Sequence, residues 1–342
     1  MGDVAAQPRI LMLFTTFLLA QPLTILFSVS IGSLAIPFNS VIDALVNGFR
    51  GDDIVSTVIW SIRLPRTITA ALGGAGLAVA GVMLQVFFRN PLADPYILGI
   101  ASGSSLFVAL AILAGFTFGI VASPYDPYFL FTASFLGAAA VSALIITLSS
   151  IVRSVITLLV AGLMIGYLAS ALTSILQYLA DIERVRAFIF WVLGSFAGAK
   201  WIHITPMTVA VLAGVTASLF LAKPFNALLL SDDYARSLGV RIRFVRLSAI
   251  AITALLTSSV TVVAGPIGFV GLAVPYLARL AAQSSDNRLL IPLSALLGST
   301  VTVAADMAAR TLLSPIELPV SAITALFGVP IVIMLLIRRG SL

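Results

Sequence analysis

From Ile10 to Ile31 the chain runs without one charged side chain, and apolar stretches of similar length recur almost to the C-terminus. Where water is absent, a backbone must satisfy its own polar groups, and a helix needs about 20 apolar residues to cross a bilayer. Further spans are expected near 66–88, 96–116, 128–150, 155–180, 203–222, 247–265, 267–284, 289–310 and 319–337. Only 9% of the 342 residues are charged, 60% are hydrophobic and the mean hydropathy is +1.15. Soluble proteins carry about 25% charged residues. The expectation is an all-α polytopic membrane protein of about ten transmembrane helices, forming one domain over residues 1–342. Ser33-Leu34-Ala35 resembles a signal-cleavage site, but the run before it is long for a signal, so it reads as the first span.

Twelve of the 19 basic residues fall on one side if the N-terminus is cytoplasmic. The positive-inside rule then puts both termini, and the loop from Lys223 to Arg246, in the cytoplasm. That loop holds seven charges in 24 residues. Ser231 is placed to cap a short helix with Asp232 and Asp233 in its first turn, where the helix dipole favours acids. Gly239 is placed to end it, and Tyr234 and Leu238 fall at i,i+4 on one face. A capped amphipathic helix between membrane spans suits docking into a partner; the alternative is a solvated connector.

Other cations are out of place by the same rule. Arg63 and Arg66 stand at the outer mouth of the second span and Arg310 at the end of the ninth, so they should answer something acidic. Asp306 lies at i,i+4 from Arg310, which suits a local ion pair. His203, beside Lys200 and Trp201, reads as an interfacial anchor. A faint repeat relates the two halves: Arg63-x-x-Arg66 with Pro95-Tyr96, and Arg243-x-x-Arg246 with Pro275-Tyr276, 180 residues on. Five spans separate the copies, so they face opposite ways, as in transporters built from inverted repeats. Gly162 and Gly166, and Gly76 with Ala80, have the spacing that lets helices approach closely.

Cysteine is absent, which excludes disulfides and thiolate chemistry. No glycine-rich loop ends in Gly-Lys-Ser/Thr, there is no metal-spaced cluster, and the net charge of +6 suits membrane orientation more than nucleic acid. No proton relay is evident in the spans. Energy must then come from outside the chain, unless the protein is a passive pore or an ion-driven carrier.

Arg63-Leu64-Pro65-Arg66, Gly81-Val82-Met83-Leu84-Gln85, Asn90-Pro91-Leu92-Ala93-Asp94-Pro95 and Gly265-Pro266-Ile267-Gly268-Phe269-Val270-Gly271-Leu272 resemble the FecCD/BtuC-type permeases of ABC importers for iron–siderophores, haem and cobalamin. Asp306 to Arg310 and Glu317-Leu318-Pro319 extend the likeness to the C-terminal end. The resemblance implies the type II importer permease fold, with helices 2–5 repeated in inverted form as helices 7–10. It implies an inner (plasma) membrane location and a second permease subunit, identical or related. It also implies two cytoplasmic ATPases holding ATP and Mg, and a periplasmic or extracellular binding protein. The chain itself would be no enzyme and hold no cofactor. Asp232, Tyr234, Arg236, Ser237, Leu238 and Gly239 correspond to the coupling helix, and Arg63, Arg66 and Arg310 to cations that meet the binding protein. Asn90 and Leu92 match one inner gate. Val155 and Ile156 match the other, where the cobalamin permease has small hydroxyl residues. Gly162 and Gly166 would lie on the translocation path. Iron–siderophore is the leading cargo; haem, cobalamin and oxyanions such as molybdate remain open.

Overall fold

The computed structural model describes residues 6–32, 34–51, 53–114, 127–152 and 154–340; Ser33 and Arg153 lie outside them. In chain order the helices are α1 (Ala6–Ser30), α2 (Phe38–Asn47), α3 (Ile54–Val58), a π-helical turn (Ile59–Arg63), α4 (Leu64–Phe87), a 3-10 turn (Pro95–Leu98), α5 (Ile100–Ile112), α6 (Pro127–Ile151), α7 (Val155–Leu179), α8 (Ile182–Val192), α9 (Trp201–Phe220), α10 (Ala222–Leu230), α11 (Asp232–Ser237), α12 (Ile242–Ala264), α13 (Val270–Ala282), α14 (Asn287–Thr311) and α15 (Val320–Gly340). Seven helical runs are long and apolar enough to cross a membrane, and three shorter apolar helices, α5, α13 and α15 to Ile333, accompany them. Together they match the ten expected spans.

Three details differ from the sequence reading. The second span begins earlier, because α3, the π turn and α4 form one helical run, Ile54–Phe87. At 1.5 Å per residue it is about 50 Å long, more than a hydrocarbon core of about 30 Å requires. Its first turns protrude, and Val29, Val41, Ala44 and Ile59 bury one another there in a small separate cluster. Helices α2, α8 and α10 occupy stretches read as connections. Third, α5 and α13 have 13 residues each, about 20 Å, and cannot span alone. The irregular segments before them complete the crossing, which is tolerated because they are packed within protein: Pro95 lies against Gly271, and the Tyr96 hydroxyl accepts from the Ile267 amide at 2.9 Å.

Helix α4 is the central post, buried along most of its length. Its small residues explain why. A Cβ at Gly74 would fall on the Gly298 carbonyl of α14, and one at Gly81 on the Gly271 carbonyl of α13. On another face, Gly76 meets Val211 of α9 and Val260 of α12. Between helices in lipid, such close approach supplies the van der Waals contact that the hydrophobic effect cannot.

The inverted repeat is visible in lengths and neighbours. α4 and α12 have 24 and 23 residues, α5 and α13 have 13 each, and α6 and α14 have 25 each. α4 lies against α13 and α14, while α12 lies against α5 and α6. α4 and α12 run antiparallel, with Gly73 near the start of one facing Val260 near the end of the other. The 180-residue register does not hold throughout. Pro95 precedes α5 by five residues, whereas Pro275 sits inside α13, so the two Pro-Tyr pairs are not equivalent positions. What is equivalent is the residue before each short helix: Gly99 (φ 75°) and Phe269 (φ 69°) are both left-handed N-caps.

Gly81→Ala is expected to destabilise the protein by about 3 kcal/mol or more, since backbone must move to admit the methyl group. Gly198→Ala, where a Cβ meets nothing within 4 Å, should be tolerated. Melting in detergent and elution as a single species measure both; equal behaviour of the two variants would remove the close-contact account of α4.

Candidate functional site

The loop between α9 and α12 folds as its residues require. Ser231 is extended, and its Oγ accepts from the Tyr234 amide at 3.0 Å, capping α11. At the other end Gly239 takes φ 79°, and the amides of Gly239 and Val240 return to the Arg236 and Ala235 carbonyls at 2.9 and 3.0 Å. Only glycine adopts that conformation without a Cβ penalty. Ala235 is fully buried against the protein, while Tyr234, Arg236, Ser237 and Leu238 face outward. Ser237 donates to the Tyr234 carbonyl. The expected cap, stop and exposed apolar pair are therefore all present.

Asp232 is the anchor of this helix. Its carboxylate receives Arg89 from the end of α4 and Arg246 from α12, the latter at 2.7 Å. Arg89, itself left-handed at φ 48°, also donates to the Leu228 carbonyl of α10. Asn226 of α10 donates to Asp286 and accepts from the backbone and side-chain amides of Asn287, at the start of α14. Hydrogen bonds from Arg288 and Asn226 hold the Asp286 carboxyl down to about 2, against the opposing effect of burial. Helices α10 and α11 are thus bolted to α4, α12 and α14. Arg89 and Asn226 escaped the sequence reading because their partners lie 143 and 60 residues away in the chain.

At the opposite end, the three misplaced arginines are buried, none more than 5% exposed. Arg66 forms a bidentate pair with Asp306 and another with Glu317. Arg310 stands 3.5 Å from Asp306, as its spacing foretold, and donates to the carbonyl and hydroxyl of Ser28. Arg63 donates to the carbonyls of Val29, Ser30 and Leu34. The first two are unsatisfied carbonyls at the end of α1, where a cation is favoured, and the third lies in the segment after it. Arg63, Arg66 and Arg310, which the resemblance gives to the binding protein, thus have partners within the chain: Asp306, Glu317 and α1. The exposed cations on this side are Arg50, Arg186 and Lys200. His203 is corrected from anchor to cap. It is buried, stacks on Phe131 and accepts from the Lys200 amide at 3.3 Å.

Of the gate residues, Asn90 accepts from the Leu92 amide at 3.0 Å, making a tight turn after α4. Ile156 is exposed in the first turn of α7, which Ser154 caps; the Val155 side chain lies outside the described residues. Gly162 packs on Ile97 and Leu98, and Gly166 on Gly99 and Ser102, within the same chain. The outward face of α7 is Val160, Met164, Tyr167 and Leu168.

The FecCD transport family matches residues 18–338. A hemin transport system permease protein of Yersinia pestis is 35% identical, over 97% of each chain. A vitamin B12 import system permease protein of Vibrio cholerae is 38% identical, over 82% of this chain and 83% of its own. A solved metal-chelate type ABC transporter in an inward-facing conformation superposes with a TM-score of 0.82 at 34% identity, covering 96% of this chain and 99% of that one.

Asp306→Ala would leave the Arg66 and Arg310 guanidinia buried beside a single half-exposed carboxylate, Glu317. Stranding a buried partner in this way costs about 3–5 kcal/mol. Thermal denaturation in detergent should show the loss, and a variant as stable as the parent would mean that the cluster is hydrated and dispensable.

Proposed function

From the premise that the chain belongs to the FecCD transport family and is the permease of an ABC importer, we propose that it carries an iron–siderophore complex from an outside binding protein to the cytoplasm. Haem or cobalamin is the alternative cargo. The reading places the chain in the inner membrane with both termini cytoplasmic. A second permease copy or a related subunit lies against it, and each of the pair takes one of two ATPases, here on α11. The observation that carries it is α11 itself, a helix whose outward face is Tyr234 and Leu238 and whose inward face is tied by Asp232 to two spans. A partner that grips the exposed pair moves α4 and α12 with it.

The passage runs between two copies and is lined partly by the exposed face of α7, where Met164, Tyr167 and Leu168 suit the organic shell of a chelate. Leu92 and Ile156 close its inner end by packing and exclusion of water. The likeness to a metal-chelate transporter along nearly the whole chain supports this cargo class, and the hemin relative keeps haem next. Outside, the binding protein meets the face around α2, α3 and Glu317, where exposed charge of either sign sets encounter and register.

Reconstituted with its ATPase and binding protein, the protein should concentrate a ferric siderophore only with ATP; transport of hemin or cobalamin instead would replace the cargo, and uphill transport by the permease alone would end the reading. Leu238→Asp should lower ATP-driven uptake about tenfold or more by breaking an apolar anchor of the ATPase contact. The chain has no cysteine, so single replacements report sidedness cleanly. Ser237→Cys should react with impermeant thiol reagents only from the cytoplasmic side, and Lys200→Cys only from outside.

A further inference from the structure

A second feature of the inner face adjoins the coupling helix. Beside α11 the end of α6 and the start of α12 enclose a pocket of about 630 Å³ lined by Arg236, Arg241, Arg243 and Arg246, with Ser149 and Ser150 on its far wall. With Arg89, five arginines here share two carboxylates: Asp232 takes Arg89 and Arg246, and Asp233 takes Arg236. Arg241 and Arg243 have no acidic partner among the described residues. Arg243 donates to the Ser150 carbonyl at 3.0 Å, which ties α12 to α6 and holds its guanidinium at the pocket wall. The Ser149 and Ser150 hydroxyls donate to carbonyls of their own helix, leaving the guanidinia as the donors to any occupant. The first turn of α12, a 23-residue helix, adds the positive end of its dipole. Like charges so placed repel one another unless an anion joins them.

The surroundings say what kind of anion. The walls are the ends of two membrane spans, α6 and α12, so the pocket stands where headgroups lie. Ile151, on the pocket wall, and Phe244, next to Arg243 in sequence, are 70% and 64% exposed. Large apolar side chains beside a cationic pocket fit a surface where acyl chains begin, and basic pockets between spans bind anionic headgroups. We propose that this pocket holds the phosphate headgroup of an anionic phospholipid, gripped chiefly by Arg241 and Arg243. The inference rests on the chain's membrane insertion and not on its cargo. Its consequence is that the segment from α11 to α12 is steadied by lipid as well as by Asp232.

The test uses the purified full chain in a non-ionic detergent, with dioleoyl phosphatidylglycerol and dioleoyl phosphatidylcholine as probes and native mass spectrometry as readout. The parent should retain phosphatidylglycerol at least about tenfold better than phosphatidylcholine, since each basic residue near an anionic surface contributes appreciably. Arg241→Gln with Arg243→Gln should abolish the preference, Arg241→Lys with Arg243→Lys should keep most of it, and Arg288→Gln, elsewhere on the same side, should leave it intact. Both pocket residues are exposed, so the variants should elute as the parent does. Equal retention of the two lipids by the parent, or an unchanged preference in the glutamine variant, overturns the proposal. So does displacement of the lipid by millimolar inorganic phosphate, which would make the site one for free anions. A glutamine variant that keeps its lipid and loses the ATPase would give these arginines to the protein partner and equally overturn it.

Discussion

The contact between the backbones of α4 and its neighbours governs the rest of the molecule. In lipid, apolar side chains gain little by meeting one another, so helices associate where their backbones come close. Gly74 against Gly298 and Gly81 against Gly271 are such places, and they set the position of both α14 and α13. Everything that must not meet lipid is then arranged around that post. The irregular segments before α5 and α13 are packed against it or against each other, and the arginines at its N-terminal end reach α1 and α14. The architecture is less a bundle of equivalent rods than a column with dependent parts.

Polar groups are spent in two places, one at each end of this column. At one end, three arginines and two carboxylates close α1, α4 and α14 together. At the other, Asp232 and Asp286 hold α10 and α11 to the ends of three spans. Between them the core is built mainly of apolar side chains, with hydroxyls such as Thr69, Ser104, Thr253, Thr257 and Thr302 buried among the helices.

The ten spans were legible because charge is excluded from long runs, and α11 was legible because serine, two aspartates and glycine mark a short helix from within. The outer arginines show where that kind of reading stops. Their misplacement was plain in the sequence, but whether a cation answers an outside acid or an inside one depends on folded distance, and Arg66 meets Asp306 across 240 residues. The same holds for Gly162 and Gly166, whose spacing announces a close contact without saying with what. Asp306 and Arg310 were paired correctly because a helix fixes their separation. The π turn at Ile59–Arg63 and the helix α2 had no local marker strong enough to separate them from connecting loop.

The two left-handed caps bear on how alike the halves can be. Gly99 leaves room for α7 to settle its glycines directly on the backbone. Phe269, in the same conformation, puts a ring against Gly328 of α15, beside an apolar cleft of about 340 Å³ between α13, α14 and α15. A duplicated ancestor would have had matching seams; here one closes on backbone and the other on a benzyl group. Whatever symmetry the two halves inherited, their packing against the last helix of each is no longer the same.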